Sequence, residues 1–539
     1  MENSFFTTRW RRCMRGVVVC PEPPAARAGA HILAKGGNAF DAAVAAAFAQ
    51  GVTNPLGCGL GGHACVQLYA GPQDVGIYLN GSVAIGSGAG LRHITSGAVP
   101  RSERVGRYLI PNDLNQLGYT SIMIPGFTAA LGELAGRFGS GRVEWRELVL
   151  PAQEFAAGGF EVYPYLHSYY TFEGPDKPGY PDLFRKLRQD DAARALYLPN
   201  GTPPPVGYVL RQPDMAATLA KIADRGADDF YRGAVAREIA RDLDAHEASV
   251  TGADLASYTV RTEMPIVAKW RGLTIQTSTP PTRGAVLIAM LRAVEGVDLP
   301  ALGFNSAAYI DLLARATNRA FADGAAILAD PAYTSVAVER LLSRTRPAVP
   351  VSRPAQPRRD DRHTTHVTAA DADGNVVSIT HSIGSVTGAG VITPGLGFFY
   401  NNFLGHFNPA PGRHDSIAAG KRGGGGCPTI IFRDGRPVFA IGSSGGSRLV
   451  SAVFQSILNV FVHGMDPQEA VSAPRFHCEE DGRIYMEPAI GAETAAALKR
   501  MGYEVETASY MGCNQAVLLS GNSLIGGSDP RGGQGIGQT

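Results

Sequence analysis

Three absences narrow what this chain can do. No run of apolar residues approaches the roughly 20 that a membrane-spanning helix needs. The formal net charge is only +1 at pH 7, without the basic excess typical of nucleic-acid-binding domains. The seven cysteines include no C-x-x-C pair, which argues against a zinc ribbon or thioredoxin-like chemistry. We therefore expect a cytoplasmic protein of a reducing compartment that binds neither nucleic acid nor membrane.

What the chain does contain is the composition of a globular enzyme. Hydrophobic residues make up 45% and charged residues 18% of its 539 positions. The 66 glycines and 36 prolines are spread along the whole chain, which predicts many tight turns. Helical patterns dominate before residue 350, and strands accompanied by helices dominate after it. This order favours an α+β fold of helix–sheet–sheet–helix layers, with one linker at about 340–363.

Two glycine-rich stretches bear on the fold and on cofactors. Gly36-Gly37 predicts a helix end, and Asn38 then predicts the N-cap of a helix at 39–50 that is apolar on every side and therefore buried. Gly57 to Gly62 matches G-x-G-x-x-G, but a helix precedes it and a strand-like segment follows, the reverse of a dinucleotide site. We expect no cofactor, and we interpret these glycines as points of close backbone approach.

The stretch Arg362-His363-Thr364-Thr365-His366 holds the candidate nucleophile. It joins a Pro/Arg-rich run to a predicted hairpin whose turn is Asp373-Gly374-Asn375. A threonine hydroxyl needs a base, and cleavage of the chain before Thr364 would supply one in its own α-amine. Thr364 and Thr365 could equally be ordinary strand residues. The His363-x-x-His366 spacing is interpreted as incidental, so we expect no metal site.

Several motifs together resemble the γ-glutamyltranspeptidase family of N-terminal-nucleophile hydrolases, over residues of about 15–535. The motifs are Gly36 to Ala45, Pro125-Gly126, Asp330-Pro331, Thr364-Thr365-His366, Asp373-Gly374-Asn375, Asn401-Asn402, Gly445 to Arg448, Ala473 to His477 and Ser528 to Arg531. Their common order and spacing carry the resemblance, because each motif alone is weak.

The resemblance implies a four-layer αββα sandwich made as a precursor that cleaves itself between His363 and Thr364. The products would be a large subunit, 1–363, and a small subunit, 364–539, that stay associated. Thr364 would attack an amide carbonyl while its α-amine relays the proton, and Ser382 would supply the hydroxyl that orients it. Backbone N–H groups of Gly445 and Gly446 would stabilise the tetrahedral intermediate.

The residues that would recognise a γ-glutamyl group are largely replaced. A glycine stands where the family has its carboxylate-binding arginine, and further replacements suggest a roomier pocket with an aromatic wall. The positions expected to bind substrate are Gly81, Phe403, His406, Gly424 and Gly425, with Gly384 a further replacement. We expect an amidohydrolase that cleaves a small-molecule amide outside the γ-glutamyl class. The alternatives are a γ-glutamyl hydrolase or transferase and an unprocessed, non-catalytic scaffold.

Overall fold

The computed structural model describes residues 15–95, 110–172, 181–343, 363–479 and 481–539. Nearly all of the predicted linker at 340–363 lies outside these ranges, as does Arg362. Within them, no helix combines the length and the apolar character required to cross a bilayer.

The strands of the described residues are short and spread along the chain. They are β1 (Gly16–Cys20), β2 (His63–Ala70), β3 (Val75–Gly81), β4 (Val83–Ala84), β5 (Phe160–Glu161), β6 (Val209–Leu210), β7 (Arg261–Glu263), β8 (Ile266–Trp270), β9 (Leu273–Thr277), β10 (Thr365–Asp371), β11 (Val376–Ser382), β12 (Arg422–Gly423), β13 (Thr429–Arg433), β14 (Arg436–Ser444), β15 (Phe476–Cys478), β16 (Ile484–Met486), β17 (Val505–Thr507), β18 (Cys513–Ser520), β19 (Ser523–Ser528) and β20 (Gly535–Gln538).

The α-helices of the described residues include several with one apolar face and three that are buried over most of their length. They are α1 (Pro23–Ala34), α2 (Ala39–Thr53), α3 (Leu91–Thr95), α4 (Phe127–Phe138), α5 (Trp145–Gly158), α6 (Pro164–Phe172), α7 (Leu183–Arg188), α8 (Asp191–Tyr197), α9 (Pro213–Arg225), α10 (Asp229–Arg232), α11 (Ala234–Ala245), α12 (Gly252–Ser257), α13 (Gly284–Ala293), α14 (Ala307–Ile327), α15 (Val338–Leu342), α16 (Arg448–Phe461), α17 (Pro467–Ser472) and α18 (Ala492–Arg500).

Two large sheets organise the chain. The first has seven strands in the order β20-β1-β10-β11-β2-β3-β7, and the second has six in the order β19-β18-β14-β13-β9-β8. Strands β10 and β11 contact β14, so the two sheets face each other. Between them lies a small apolar core that includes Val17, Val19, Ala370, Ile430 and Val517. Helices α2 and α4 pack on the far side of the first sheet, and α13 and α16 on the far side of the second.

The helix predicted at 39–50 forms as α2 and runs three residues further. Asn38 Oδ1 accepts hydrogen bonds from the amides of Phe40 and Asp41, while Asp41 Oδ2 accepts one from the amide of Asn38. This reciprocal cap satisfies amides that the first helical turn leaves unpaired. Every residue of α2 is buried, as its apolar sequence predicts.

The predicted hairpin is also confirmed, since β10 and β11 pair antiparallel with Thr365 opposite His381. The apolar run Phe398-Phe399-Tyr400 also predicts a strand, and this prediction is wrong. The run makes only isolated bridges, Ile392 to Phe399 and Gly61 to Tyr400, and its rings pack against Phe230 of α10 and Tyr197 of α8. The glycine-rich segment is followed by strand β2, not by the helix a dinucleotide site needs.

Candidate active site

Thr364 stands directly before β10, at the end of the first sheet and on the face that meets the second sheet. Side chains alternate along a strand, so residues 364, 366 and 368 share that face while Thr365 takes the other. Thr365 is fully buried and donates to the carboxylate of Glu22 at 2.9 Å. Of the two neighbouring threonines, Thr364 is therefore the one whose hydroxyl faces the space between the sheets.

The hydroxyl of Thr364 is held by Ser382. Thr364 Oγ1 donates to Ser382 Oγ at 3.0 Å, and the amide of Gly384 donates to the same oxygen at 3.0 Å. The structure thus brings together two residues predicted to form the catalytic pair. Thr364 also has a φ of 90°, an unfavourable backbone conformation for a β-branched residue. Conformations of this kind cost about 1–3 kcal/mol and cluster at functional sites.

The predicted oxyanion loop lies against the peptide bond predicted to break. The amide of Gly445, just after β14, donates to the carbonyl oxygen of His363 at 3.4 Å. Gly445 has a φ of 119°, and Gly446 follows with a φ of 58°. If the His363 carbonyl carbon were attacked, negative charge would develop on the oxygen that Gly445 already contacts. Backbone N–H groups in this position act as an oxyanion hole.

A buried polar network holds Thr365, the neighbour of the candidate nucleophile, on the face of the first sheet that packs against α2. This network was not predicted from the sequence. Glu22 is fully buried and accepts hydrogen bonds from Gln50 (2.6 Å) and Asn54 (2.7 Å) as well as from Thr365. Burial raises the pKa of the Glu22 carboxyl, although these donors oppose the shift. The network fixes Thr365, and hence the start of β10, to helix α2. In the sequence, the one signal of this network is Glu22, an acidic residue two positions after the apolar run Val17 to Cys20.

The predicted substrate residues fall into two groups. Phe403 is buried, and its ring lies edge-on to the ring of exposed His406, with centroids 5.3 Å apart. His406 and Gly424 both line a cavity of about 230 Å³, together with Asp330, Lys421 and other residues. Gly425 follows Gly424, and a Cβ there would meet no atom within 4 Å. Two of these four predicted positions therefore line the cavity, while Phe403 contacts His406 and Gly425 is adjacent to Gly424 in sequence.

Gly81 does not join them. It lies opposite Ala64, and a Cβ at position 81 would meet Ala130 of α4 at 2.6 Å. The position therefore faces the helix layer and not the face that carries Thr364. The next residue, Ser82, takes the other face: its Oγ is 3.1 Å from where a Cβ at Gly424 would stand. Our expectation for this strand was thus misplaced by one residue, which moves a side chain to the opposite face of a sheet.

The His363-x-x-His366 pair does not act as a unit. His366 is fully buried, its Nδ1 is 2.9 Å from Thr380 Oγ1, and its Nε2 is 3.1 Å from the hydroxyls of Thr368 and Ser378. Burial lowers the pKa of His366 to about 3, so the ring is neutral. Across the described ranges, no group of three or more His, Cys, Asp or Glu residues is arranged to hold a metal ion.

The chain is similar to known proteins over nearly its whole length. The family profile described as gamma-glutamyltranspeptidase matches residues 25–539. An acylase proenzyme, ACY 1 from Pseudomonas sp. (strain V22), is 37% identical over 91% of this chain and 87% of its own length. A glutathione hydrolase proenzyme from Pseudomonas aeruginosa is 32% identical over 97% of this chain and 94% of its own. A cephalosporin acylase from Bacillus halodurans superposes with a TM-score of 0.85, at 27% identity over 99% of this chain and 98% of its own.

Proposed function

Because this chain belongs to the γ-glutamyltranspeptidase family, whose matched relatives are hydrolases made as proenzymes, we propose that it is an autoprocessed amidohydrolase with Thr364 as its nucleophile. The fold proposed with it is the αββα sandwich of N-terminal-nucleophile hydrolases. The observation that carries the assignment is the contact of the Gly445 amide with the His363 carbonyl oxygen, beside the Thr364 hydroxyl held by Ser382. The three groups that peptide-bond attack requires are thus adjacent.

The first reaction is self-cleavage. Thr364 Oγ1 loses its proton, attacks the carbonyl carbon of His363 and places negative charge on the oxygen that faces Gly445. Collapse of this intermediate breaks the bond to the Thr364 nitrogen, which takes the proton that Oγ1 lost and becomes the free α-amine, and leaves an ester between His363 and Thr364 Oγ1. Water hydrolyses the ester, which returns the Thr364 hydroxyl and leaves a carboxylate on His363. The products are residues 1–363 and 364–539, which we propose remain associated because β10 and β11 lie inside a sheet built from both.

The second reaction is turnover. The free α-amine of Thr364 accepts the proton of its own hydroxyl, which attacks the amide carbonyl of a substrate. The leaving amine departs with the proton, and an acyl-enzyme remains on Oγ1. Water then attacks the acyl-enzyme and returns the hydroxyl. The same Gly445 amide serves both reactions, since each places an oxyanion next to Thr364 Oγ1.

We propose that the acyl group is not γ-glutamyl. That group carries a carboxylate and an ammonium, and both need partners once they leave water. Each of the three Arg and Lys side chains that line the pocket has a protein partner. Arg283 lies over the Phe321 ring, 5.2 Å from its centroid, and Lys421 Nζ donates to His414 O (2.6 Å) and Ser416 O (3.0 Å). Arg422 donates to the carbonyls of Asn80 and Thr259. The 37% identity to an acylase proenzyme supports the same choice.

Maturation tests the nucleophile. Purified protein should give two bands on a denaturing gel, and the smaller should begin Thr-Thr-His-Val. Thr364→Ala should remain a single chain of 56.8 kDa, because it lacks the attacking hydroxyl. Thr364→Ser is the matched control, since it keeps a hydroxyl and should be cleaved. Processing of the alanine variant would refute the assignment, and an intact wild-type chain would favour the scaffold alternative.

A substrate panel tests the acyl group. Mature protein is assayed on p-nitroanilides of apolar, aromatic, very small and γ-glutamyl acyl groups, so that the leaving group is constant. We expect γ-glutamyl-p-nitroanilide to be among the poorest. The similarity to a glutathione hydrolase proenzyme makes a γ-glutamyl hydrolase the second candidate. A γ-glutamyl substrate that exceeds all others in kcat/KM would establish it.

We propose that the enzyme acts in the cytoplasm.

A further inference from the structure

His63, the first residue of β2, lies two strands from the candidate nucleophile, and the proposed chemistry leaves it unused. It pairs directly with Ser382, the residue that holds Thr364. Directly paired residues of antiparallel strands carry their side chains on the same face. His63 therefore stands in one row with Thr364, Ser382 and Ser82, on the face between the sheets.

The ring of His63 has one nitrogen in contact and one without a partner. Nδ1 is 3.5 Å from Cys65 Sγ. Nε2 is buried and hydrogen-bonds to none of the described residues. The side chain is 0% exposed, and leaving a buried polar atom unpaired is costly, which makes such atoms candidates for contact with a ligand.

The surroundings of His63 are the residues predicted to bind substrate. Its ring lies edge-on to Phe403, with centroids 4.9 Å apart. A Cβ at Gly424 would stand 3.5 Å from His63 Nδ1. Gly424 thus lies beside the Nδ1 edge of the ring, the edge that also contacts Cys65 Sγ. On this face of the sheet, His63 is the next side chain after Ser382 in the row that begins at Thr364.

Burial sets the charge of the ring, and the contact with Cys65 is compatible with a ring proton on Nε2. Burial lowers the pKa of His63 to about 3 and raises the pKa of the Cys65 thiol to about 11, so the ring is neutral and the thiol keeps its proton. A thiol that donates to Nδ1 leaves the ring proton on Nε2. His63 then offers a neutral donor, which suits an uncharged oxygen and gives no ionic partner to a carboxylate.

We propose that His63 Nε2 donates a hydrogen bond to an uncharged oxygen in the acyl portion of the substrate, and that this contact sets acyl specificity. The inference rests on the proposed function and names the substrate class: amides whose acyl chain carries an ether, carbonyl or hydroxyl oxygen. Two strand spacings put Thr364 and His63 roughly 10 Å apart. After the ester bond and the hydrogen bond, roughly 5–6 Å remains, the length of about four bonds. The recognised oxygen therefore lies near the third to fifth atom of the acyl chain.

The test uses p-nitroanilides of one chain length. Hexanoyl-p-nitroanilide is compared with analogues in which oxygen replaces the CH₂ at position 4 or 5, so that the hydrogen-bond acceptor changes while the reactivity of the carbonyl, which an oxygen at position 3 would raise, stays nearly constant. Wild-type enzyme should favour one oxygen analogue over hexanoyl by about tenfold in kcat/KM. His63→Phe should bring that ratio to about 1, because the ring shape stays and the donor is lost. The matched control is His463→Phe, a half-buried histidine beside Tyr309 that should keep the wild-type ratio.

Two further variants keep the test decisive if His63→Phe fails to mature. His63→Gln can place an amide donor near the position of Nε2 and should retain part of the preference. His63→Asn is too short and should lose it. A wild-type enzyme without preference for any oxygen analogue would overturn the proposal, as would an unchanged ratio in the phenylalanine variant or equal ratios in the two amide variants. Failure of the proposed function is distinguishable, since it would leave the chain uncleaved or every anilide intact.

Discussion

Gly445→Ala is the substitution that most directly probes the oxyanion contact. A Cβ at this position would stand 2.8 Å from Gly512 Cα and 3.2 Å from Tyr510 Cε1, within van der Waals radii of both. The backbone φ of 119° is also one that alanine rarely adopts. The chain must shift to relieve both conflicts, and the Gly445 amide shifts with it, away from the carbonyl oxygen of His363.

The size of the effect follows from what that amide does. Loss of one oxyanion donor typically reduces turnover about 10²- to 10³-fold, or about 3–4 kcal/mol in transition-state free energy. The backbone conflict adds about 1–3 kcal/mol against folding, which a domain of ordinary stability tolerates. We therefore expect Gly445→Ala to fold, and to lose self-cleavage and turnover by at least about 10²-fold. Valine at position 445 or 446 should act in the same direction.

The assay follows the two-band pattern over time after purification, and then anilide turnover by whatever mature enzyme forms. Gly464→Ala is the matched control: Gly464 has a φ of 70°, and a Cβ there would meet no atom within 4 Å. It carries a backbone cost of about 1–2 kcal/mol but lies after α16, away from the site. Gly445→Ala that matures and turns over like Gly464→Ala would refute the placement of the oxyanion loop.

Three further predictions concern single side chains. Ser382→Ala should slow both cleavage and turnover by about 10-fold or more, because Thr364 Oγ1 loses the hydroxyl to which it hydrogen-bonds. Ser382→Thr keeps a hydroxyl and should retain most of the wild-type rate. Equal rates for the two variants would contradict this. Phe403→Ala should raise KM for the preferred anilide more than it lowers kcat, as loss of packing predicts; a kcat effect alone would argue against contact with substrate. His366 has a folded pKa of about 3 against about 6.5 unfolded, so its stabilising contribution is complete above pH 6.5 and is lost as pH falls towards 3. His366→Gln should therefore reduce, by about 1.4 kcal/mol per pH unit, the slope of the unfolding free energy against pH below pH 6.5. An unchanged slope in denaturant titrations at several pH values would refute this.

Local signals account for much of the fold. The alternating apolar residues around Asp373-Gly374-Asn375 predicted the β10–β11 hairpin, and the all-apolar helix after Asn38 predicted a buried α2. These elements depend on neighbours in sequence, where turn chemistry and capping act directly. Phe398 to Tyr400 had an equally apolar pattern but formed no strand, because packing of its rings against Phe230 and Tyr197 buries an apolar run as well as a sheet does.

The site was harder to predict where it depends on which face of a strand a residue takes. Thr364 and Ser382 were identified because the resemblance names them and their spacing suits a hairpin. We predicted a substrate-binding residue at Gly81, but the residue that takes the face between the sheets is Ser82, one position later. A shift of one residue along a strand moves a side chain to the opposite side of the sheet. His63 has no local signal at all: its position in the row beside Ser382 follows from the pairing of β11 with β2, over 300 residues apart in sequence.

The same long-range pairing explains why cleavage before Thr364 need not loosen the small subunit. The proposed cut breaks neither the hydrogen bond from Thr365 to Glu22 nor the pairing of β10 with β1 and β11. The bond proposed to break is attached to a residue with a φ of 90°, so its removal would relieve a strained conformation while the hydrogen bonds of the strand remain. Cleavage would therefore free an amine at the end of a strand that is already fixed, and the proposed base would need no rearrangement of the site around it.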